Sequence, residues 1–297
     1  MPQRPATAFT VAATIDQVGD ALRLDDAALA TLMEHPRFEA AMLKSAAATA
    51  DLYRGHWLLN RLVNDRGRFM LGLMILDLHF VGGGGAGFPP ARLREVAGAQ
   101  GVCSPGRIIA LLASLRLVGF LQPVADADRR LRRLVPTERF LDLHRDRWRR
   151  HFEALALIHP AGEVGLAALH RPEFIGAFAH DLVVAYRTGL RMVELVPELR
   201  LTAERDAGIT MLFSLLVADA AGQSVSIAGL ARRFSVSRAH VLTVFREAEQ
   251  ASLAMPAGPR GGYRAGPALA ATLRRFFAIM FLVQLHGIEA AGRAATP

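Results

Sequence analysis

Cysteine is almost absent from this sequence, because Cys103 is the only one in 297 residues. A single thiol cannot form an internal disulfide, which excludes a small disulfide-stabilised scaffold and indicates a cytoplasmic protein. Charged residues make up only 21% of the chain, while 52% of the residues are apolar. This composition excludes an intrinsically disordered chain, which combines low hydrophobicity with high net charge. At about 100–200 residues per domain, the length predicts two domains.

Long uninterrupted hydrophobic runs are also missing. A transmembrane helix needs about 20 apolar residues. The stretch 69–81 contains Asp77 and His79, and the stretch 276–283 is far shorter and follows two arginines. The first residues lack the apolar core of a secretory signal. The sequence therefore predicts no membrane span.

Lysine is nearly absent as well, since Lys44 is the only lysine among 35 basic residues. Against 27 acidic residues, the basic residues give a net charge of +8. The planar guanidinium group of arginine suits phosphates and guanine edges, and a positive surface attracts polyanions. A gene composition that also favours alanine and glycine is the alternative explanation for this arginine content.

The two halves of the chain resemble each other. Segment 35–55 matches 170–189, and 104–107 matches 235–238, in the same order and at a slowly shortening offset. Each half predicts the same succession of elements: a long helix, an apolar helix, a helix-turn-helix, a hairpin and a closing helix. For these elements the predicted ranges are 36–64 and 172–195 for the long helices, 69–80 and 209–218 for the apolar helices, and 137–158 and 267–287 for the closing helices. The interpretation is a duplication, with an N-terminal arm at 1–25, a first unit at 26–160 and a second unit at 161–297.

The clearest local pattern is a helix-turn-helix at 226–250 followed by a hairpin at 252–266. Ala231 is small enough for two helices to cross closely, Ser235 occupies the turn, and Ser237 is expected to cap the second helix. In a DNA-binding helix-turn-helix the second helix lies in the major groove, and the hairpin, or wing, contacts phosphates. The residues predicted to contact DNA are Ser237, Arg238, His240, Thr243 and Arg246 from the second helix and Arg260 and Arg264 from the wing.

The first half carries a more apolar copy at 89–123, whose turn is predicted to be one residue longer. Ser104 is expected to cap its second helix, which opens with Pro105. This helix offers few polar side chains, whereas the hairpin at 125–136 carries four arginines that suit phosphate or minor-groove contact. The residues predicted to contact DNA here are Ser104, Arg107, Arg129, Arg130, Arg132 and Arg133.

This order of elements resembles the MarR-like winged-helix transcription regulators. Those proteins are about half this length and act as homodimers, so the resemblance implies a mainly α fold with small β wings: tandem winged helix-turn-helix units joined through long helices. It implies a single-chain pseudo-dimer that binds double-stranded DNA, with base contacts at Ser237, Arg238, His240 and Thr243. It also implies a small aromatic effector between winged helix and helical interface, for which the candidate residues are Tyr53, Trp57 and Tyr186. At helical spacing, aromatics like these more often belong to the core than to a pocket. The apolar first recognition helix and the glycine-rich loop at 81–90 depart from the family pattern.

Two other functions stay open at this point. A winged helix can act purely as a protein-interaction scaffold, which the apolar helix of the first half favours, and tandem winged helices also occur in replication initiators. No catalytic motif, cofactor motif or metal-ligand spacing is found, so no enzyme, cofactor or metal is expected. A monomeric pseudo-dimer or a homodimer is expected.

The helix at 137–150 predicts spaced acid–base pairs on a solvated face. The pairs are Asp142 with Arg145 and Asp146 with Arg150. Trp148 and Phe152 mark its buried side, while His144 and His151 are expected at the surface or its boundary. Cys103 falls in the first turn, where a buried, unreactive cysteine is the expectation and a redox switch is the alternative.

Overall fold

The computed structural model describes residues 26–52, 66–124, 132–258 and 261–294. Within these ranges the chain is mainly helical and has two antiparallel sheets of two strands each. This confirms the predicted class of a mainly α protein with small β elements. The predicted N-terminal arm, 1–25, lies outside the described residues.

The first half of the described chain, 26–155, runs from a short helix to a long amphipathic one. Its elements are α1 (Asp26–Met33), α2 (Phe38–Leu52), α3 (Arg66–Phe80), α4 (Pro90–Ala99), α5 (Pro105–Leu117), β1 (Leu121–Val124), β2 (Arg133–Pro136) and α6 (Glu138–Leu155).

The second half, 161–294, repeats this order and carries further short helices between its long helix and its apolar helix. Its elements are α7 (Ala161–Ala168), α8 (Pro172–Arg187), α9 (Met192–Leu195), a 3₁₀ turn (Pro197–Leu199), α10 (Arg200–Ala203), α11 (Gly208–Ala220), α12 (Ile227–Phe234), α13 (Arg238–Gln250), β3 (Ala254–Pro256), β4 (Tyr263–Ala265) and α14 (Leu269–Ala294).

Equivalent helices of the two halves make equivalent contacts, as in a molecule with approximate two-fold symmetry. In the first half α2 packs against α6, and in the second half α8 packs against α14. Across the halves, α2 packs against α11 and α8 packs against α3. The closing helices also pack against the opposite half, since α6 contacts α7 and α14 contacts α1. Each apolar helix is therefore covered by the long helix of the opposite half, and the two halves share one core.

Aromatic rings fill the junction between α6 and α8. Phe152 meets Phe178 edge to face at 5.3 Å, and Trp148 meets the same ring at 4.9 Å. Phe174 and Phe178, one helical turn apart, stack at 5.9 Å. Aromatic pairs at such distances contribute beyond the area they bury. The expected burial of Trp148 and Phe152 is confirmed.

The crossing of α3 and α8 brings their backbones close together and contains a buried acid. A Cβ added to Gly176 would lie 2.5 Å from Phe80 Cβ, so only glycine fits there. Asp77, which is 4% exposed, accepts hydrogen bonds from Arg187 at 3.3 Å and pairs with His180 Nδ1 at 2.7 Å. A buried carboxylate needs such partners, and both come from the other half.

The structure corrects the ends of the predicted long helices. The predicted helix 172–195 divides into α8, which ends at Arg187, and the separate α9, because Gly189 between them has a φ of 112°. A residue at positive φ ends a helix and is usually glycine. The predicted helix 36–64 begins at Phe38 and continues to Leu52, after which 53–65 lie outside the described residues.

Among the described residues one helix, α14, is long and apolar enough to cross a membrane by length and composition. The prediction considered only 276–283, whereas the helix has 26 residues. Of its most apolar window, 67% is buried, and it packs against α8, α1 and α7. The core helix of a soluble protein passes the same test, so this is weak evidence for a membrane span. The cytoplasmic location stays a prediction.

Candidate functional site

The second half contains a capped helix, a tight turn and a second capped helix. The Ser226 hydroxyl accepts from Gly229 N at 2.9 Å at the start of α12, and the Ser237 hydroxyl accepts from His240 N at 3.0 Å at the start of α13. Between them Ser235 adopts the left-handed conformation, with a φ of 54°. Val236 N then donates to Ala231 O at 3.0 Å, which closes the helix end. The predicted turn and the capping role of Ser237 are confirmed.

The first half contains an equivalent turn, with an equivalent closing hydrogen bond. Gly101 takes the left-handed position with a φ of 61°, and Val102 N donates to Ala97 O at 3.1 Å. The predicted additional residue of this turn is Cys103, which separates Val102 from Ser104 at the start of α5. Ser104 has the extended backbone of a capping residue, but its side chain makes no capping hydrogen bond. The predicted capping role of the Ser104 side chain is therefore wrong, because Pro105 and the backbone alone set the start of α5.

A hairpin follows each helix pair, and each hairpin is joined to the residue two positions before the first helix. In the second half Val225 exchanges two backbone hydrogen bonds with Tyr263 of β4, at 2.8 and 2.9 Å. In the first half Phe88 and Leu134 of β2 exchange the same two bonds, both at 2.9 Å. Tyr263 also stacks on Phe245 of α13 at 4.5 Å, which fixes the hairpin against the helix.

The exposed side of α13 is polar and carries positive charge. Arg238, Thr243 and Arg246 are exposed on this helix, and Arg264 is exposed on β4. Within the described ranges no carboxylate forms an ion pair with Arg238. Burial, followed by a hydrogen bond and the charge of Glu249, raises the pKa of Tyr263 to about 12, and the charge of Arg246 opposes this shift. The charge of Arg246 on α13 thus acts on Tyr263 of the hairpin.

His240 is placed differently from the other predicted contact residues of α13. Its Nε2 lies 2.9 Å from the carbonyl oxygen of Asp206, in the loop before α11. The neighbouring Arg205 forms a two-pronged ion pair with Glu247 of α13, with Nε at 3.1 and 3.0 Å from the two carboxylate oxygens. Sequence reasoning missed the loop because its residues show no motif, and only the fold brings it to α13. We name residues 204–207 the α10–α11 loop.

The corresponding surface of the first half is more apolar. Ser104, Arg107 and Arg132, which are predicted to contact DNA, are exposed. On α5, however, Ile109 is 53% and Leu117 is 88% exposed. Arg133 is half-buried, and its guanidinium lies 3.4 Å from the carbonyl of Gly87, which ties it to the glycine-rich loop. The predicted contact residues Arg129, Arg130 and Arg260 lie outside the described residues.

A cavity of about 280 Å³ lies where the two halves meet. It is lined by α2, α3 and α6 of the first half and by α8, α11 and α14 of the second, together with the α10–α11 loop. Tyr186, a predicted pocket residue, is among its lining residues, whereas Tyr53 and Trp57 lie outside the described residues. Most of the wall is apolar, as in typical small-molecule sites.

A few buried polar groups interrupt this apolar wall. Gln284 is 7% exposed, and its Oε1 has no hydrogen-bond partner within the described ranges. Arg147 is 6% exposed and its guanidinium stacks over the Phe69 ring at 4.7 Å. His151 Nδ1 lies 2.7 Å from Ser45 Oγ. A buried polar group without a partner is costly, so Gln284 marks a place where a ligand could supply one.

His144 and His151 are buried, which corrects the expectation of surface or boundary positions. They are 2% and 8% exposed because α6 is covered on its inner side by α2 and α7. Burial and, next, the charge of Arg147 lower the pKa of both imidazoles to about 3. Both ring nitrogens of His144 lack a hydrogen-bond partner among the described residues. The acid–base pairs predicted on the outer side are confirmed, with Arg145–Asp142 and Arg150–Asp146 each at 2.8 Å.

Comparison with protein-family models, with curated proteins and with solved structures gave no match. The resemblance to MarR-like regulators therefore stays a prediction. Within the described ranges no cluster of three histidine, cysteine or carboxylate side chains is placed to hold a metal ion.

Proposed function

We propose that this chain is a sequence-specific DNA-binding transcriptional regulator, built from two winged helix-turn-helix units in a single-chain pseudo-dimer. The observation that carries the proposal is the repeated backbone of the two helix pairs. In both halves the turn has a left-handed residue and the same closing hydrogen bond, and the hairpin that follows is bridged to the residue two positions before the first helix. In winged-helix proteins this arrangement holds the second helix of the pair in the major groove.

The two units have different tasks in this proposal. The basic, polar face of α13, with Arg238, Thr243 and Arg246, contacts base edges, and Arg264 contacts phosphate. The first unit holds the DNA backbone through Arg107 and the arginines of its hairpin, since α5 offers little for hydrogen bonding to bases. Phosphate contacts position a protein and base contacts specify the sequence. Unequal units suit an asymmetric operator.

The test is binding to duplex DNA by fluorescence anisotropy across a salt series, with random DNA and with the region upstream of the chain's own gene. Phosphate contacts predict that the logarithm of the binding constant falls against the logarithm of salt concentration with a slope near −0.9 for each phosphate neutralised. We expect steep salt dependence and a preference for the upstream fragment. Salt-independent binding, or none at low salt, would contradict the proposal.

A second candidate is a protein-interaction scaffold, and the exposed face of α5 favours it. Ile109, Ala113 and Leu117 recur every fourth residue and form a solvent-exposed apolar stripe. A recognition helix that meets DNA is normally more polar. Failure to bind DNA at low salt would favour this candidate.

We further propose that the regulator is cytoplasmic and responds to a small effector, expected to be aromatic, in the central cavity. The support is the volume of the cavity, its largely apolar wall and the presence of Tyr186 in that wall. Because the two halves share one core, we expect a monomer in solution. Sedimentation equilibrium would test this, and a dimer mass would contradict it.

A further inference from the structure

The second helix of the first pair, α5, is apolar on two opposite faces. Its inner face packs into the core through four side chains: Ile108, Leu111, Leu112 and Leu115. On the outer face Ile109 is 53% exposed, and Ala110 and Ala113 are exposed beside it. A helix that is hydrophobic all round is normally buried on all sides. The outer face of α5 therefore has the composition of a surface that a partner covers.

The helices α5 and α13 can be compared position by position, because Ser104 and Ser237 directly precede them. Their buried positions then coincide, with Val241, Val244, Phe245 and Ala248 in the places of the four core residues of α5. The exposed positions differ in chemistry: Arg238, Thr243 and Arg246 of α13 correspond to Pro105, Ala110 and Ala113 of α5. Where α13 presents hydrogen-bonding side chains, α5 presents none.

The surroundings of this apolar face are strongly basic. The described helix pair and hairpin of the first half, 90–124 and 132–136, contain six arginines and one acid, Glu95, which pairs with Arg92 at 2.7 Å. Arg107 and Arg116 are exposed and, in helical projection, lie on either side of the apolar face. Neither forms an ion pair with a carboxylate of the described residues. Such a face repels a second copy of itself and attracts a polyanion.

An apolar face in the major groove of DNA suits one chemical group in particular. The methyl group of thymine is the apolar feature of the base edges, and alanine is among the side chains that typically contact it. Ala110 and Ala113 have short side chains, so that the helix can approach the base edges closely. Ile109 and Ala113 are separated by about 6 Å along the helix axis, which corresponds to about two base-pair steps.

We propose that α5 recognises thymine methyl groups through Ile109, Ala110 and Ala113, whereas α13 recognises its own half-site through hydrogen bonds. Arg107 and Arg116 contact the phosphates on the two sides of the groove. The half-site of the first unit then contains about two or three neighbouring A·T pairs, about one helical turn from the half-site of α13. The recognition of thymine rests on the proposed function and adds to it the base pairs that the first unit selects.

The first experiment removes the methyl groups from the DNA. The fragment that the full chain prefers is synthesised with deoxyuridine in place of thymidine, which keeps the base pairing and removes the methyls. Because burial of one methyl group contributes about three- to fourfold in affinity, we expect anisotropy to show about tenfold or more weaker binding to the uracil fragment. Equal affinity for both fragments would overturn the recognition of thymine and leave the proposed function intact. Binding to neither fragment at low salt would overturn the proposed function itself.

Replacing one thymine at a time locates the methyl groups that matter. We expect a loss of about three- to fourfold at each of about two or three neighbouring positions. These positions should lie about one helical turn from the base pair whose preference changes in Arg238→Ala. Sensitive thymines scattered over the fragment, or confined to the half-site of α13, would overturn the assignment to α5.

Variants connect the methyl groups to α5 through the ratio of affinities for the thymine and uracil fragments. Ile109→Ala should lower this ratio about threefold. Leu117→Ala is the matched control, because Leu117 is 88% exposed at the far end of the same helix, whereas base contacts come from the N-terminal part of a recognition helix. It should leave the ratio unchanged, and Arg246→Ala should weaken binding to both fragments alike. An unchanged ratio in Ile109→Ala would overturn the role of α5.

Sedimentation equilibrium tests whether a second copy covers the same face. We expect the monomer mass for the wild type at the concentrations of the DNA titrations. A dimer that both Ile109→Ala and Leu117→Ala disrupt would overturn the recognition of thymine, because the outer face of α5 would then be buried between two chains.

Discussion

Ser45 and His151 form a buried link between α2 and α6, with 2.7 Å between Ser45 Oγ and His151 Nδ1. The imidazole is held neutral, since burial and the charges of Arg147 and Arg150 lower its pKa to about 3. His144, about two turns earlier on the same helix, shares this low pKa, again chiefly through burial. Two neutral, buried histidines on one helix make the core sensitive to acid.

The first prediction is a steep loss of stability in mild acid. In the unfolded chain a histidine binds its proton below about pH 6.5, whereas these two stay neutral in the folded protein until about pH 3. The contribution of these neutral histidines to the free energy of unfolding is therefore fully present above about pH 6.5, and it is lost as the pH drops towards 3. Each histidine contributes a loss of about 1.4 kcal/mol per pH unit in this window.

Urea unfolding, followed by circular dichroism between pH 7 and pH 4, measures this slope. His144→Leu should reduce the slope by about 1.4 kcal/mol per pH unit and also stabilise the protein at pH 7, because it removes two nitrogens without partners. His170→Gln, at an exposed position, serves as the control and should leave the slope unchanged. A wild-type stability that is flat from pH 7 to pH 4 would refute the burial of a neutral pair.

The second prediction concerns how the arginines of the two units would contact DNA in the proposed regulator. If the Arg238 guanidinium contacts a base edge, Arg238→Ala should weaken the free energy of binding to the preferred sequence by about 1–3 kcal/mol. It should also relax the sequence preference at one base pair. Arg132→Ala should weaken binding to all sequences alike, because the expected partner of Arg132 is a phosphate. It should also reduce the slope of the binding constant against salt concentration, both as logarithms, by about 0.9. Anisotropy on a library of single-base variants measures both effects. An unchanged base preference in Arg238→Ala would count against base contact by α13.

The third prediction uses the difference between the two capping serines. Ser237 accepts a hydrogen bond from His240 N at 3.0 Å, while the Ser104 side chain makes no such bond. Ser237→Ala should therefore lower the free energy of unfolding by about 1 kcal/mol, a typical value for a lost cap. Ser104→Ala should change it by less than about 0.5 kcal/mol, as at an ordinary surface site. Chemical denaturation of both variants provides the comparison, and equal losses would contradict the described caps.

Local patterns predicted the helix pairs and hairpins because their determinants are local. The left-handed turn residue, the capping serine and the apolar spacing lie within a few residues of one another, as at Ala231, Ser235 and Ser237. The helix 172–195 was predicted too long because hydrophobic spacing continues past Gly189, where the backbone turns. Such a turn depends on one glycine rather than on the pattern around it.

Contacts between elements that are distant in the sequence could not be read from local patterns. The burial of His144 and His151 depends on α2 and α7, which cover a helix whose sequence is rich in charge. The α10–α11 loop likewise contacts α13 only in the folded chain, through Arg205 and Asp206. The cavity was anticipated only through its aromatic candidates, of which Tyr186 lines it. Its polar groups, Arg147 and Gln284, look like ordinary helix residues in the sequence.

The last prediction tests the packing of α8, from the second half, against α3, from the first half. At the α3–α8 crossing a Cβ on Gly176 would approach Phe80 Cβ to 2.5 Å, an atom that cannot swing away because it is fixed to the α3 backbone. Gly176→Ala should therefore force the helices apart and cost about 1–3 kcal/mol of stability, as overpacked cores do. Gly98→Ala is the matched control, because a Cβ on this glycine of α4 meets nothing within 4 Å. That change should instead stabilise the protein by about 0.5–1 kcal/mol, since alanine favours a helix over glycine. Thermal unfolding with both variants in one buffer measures the difference, and a Gly176→Ala protein as stable as the wild type would mean that α8 does not cross α3 at this point.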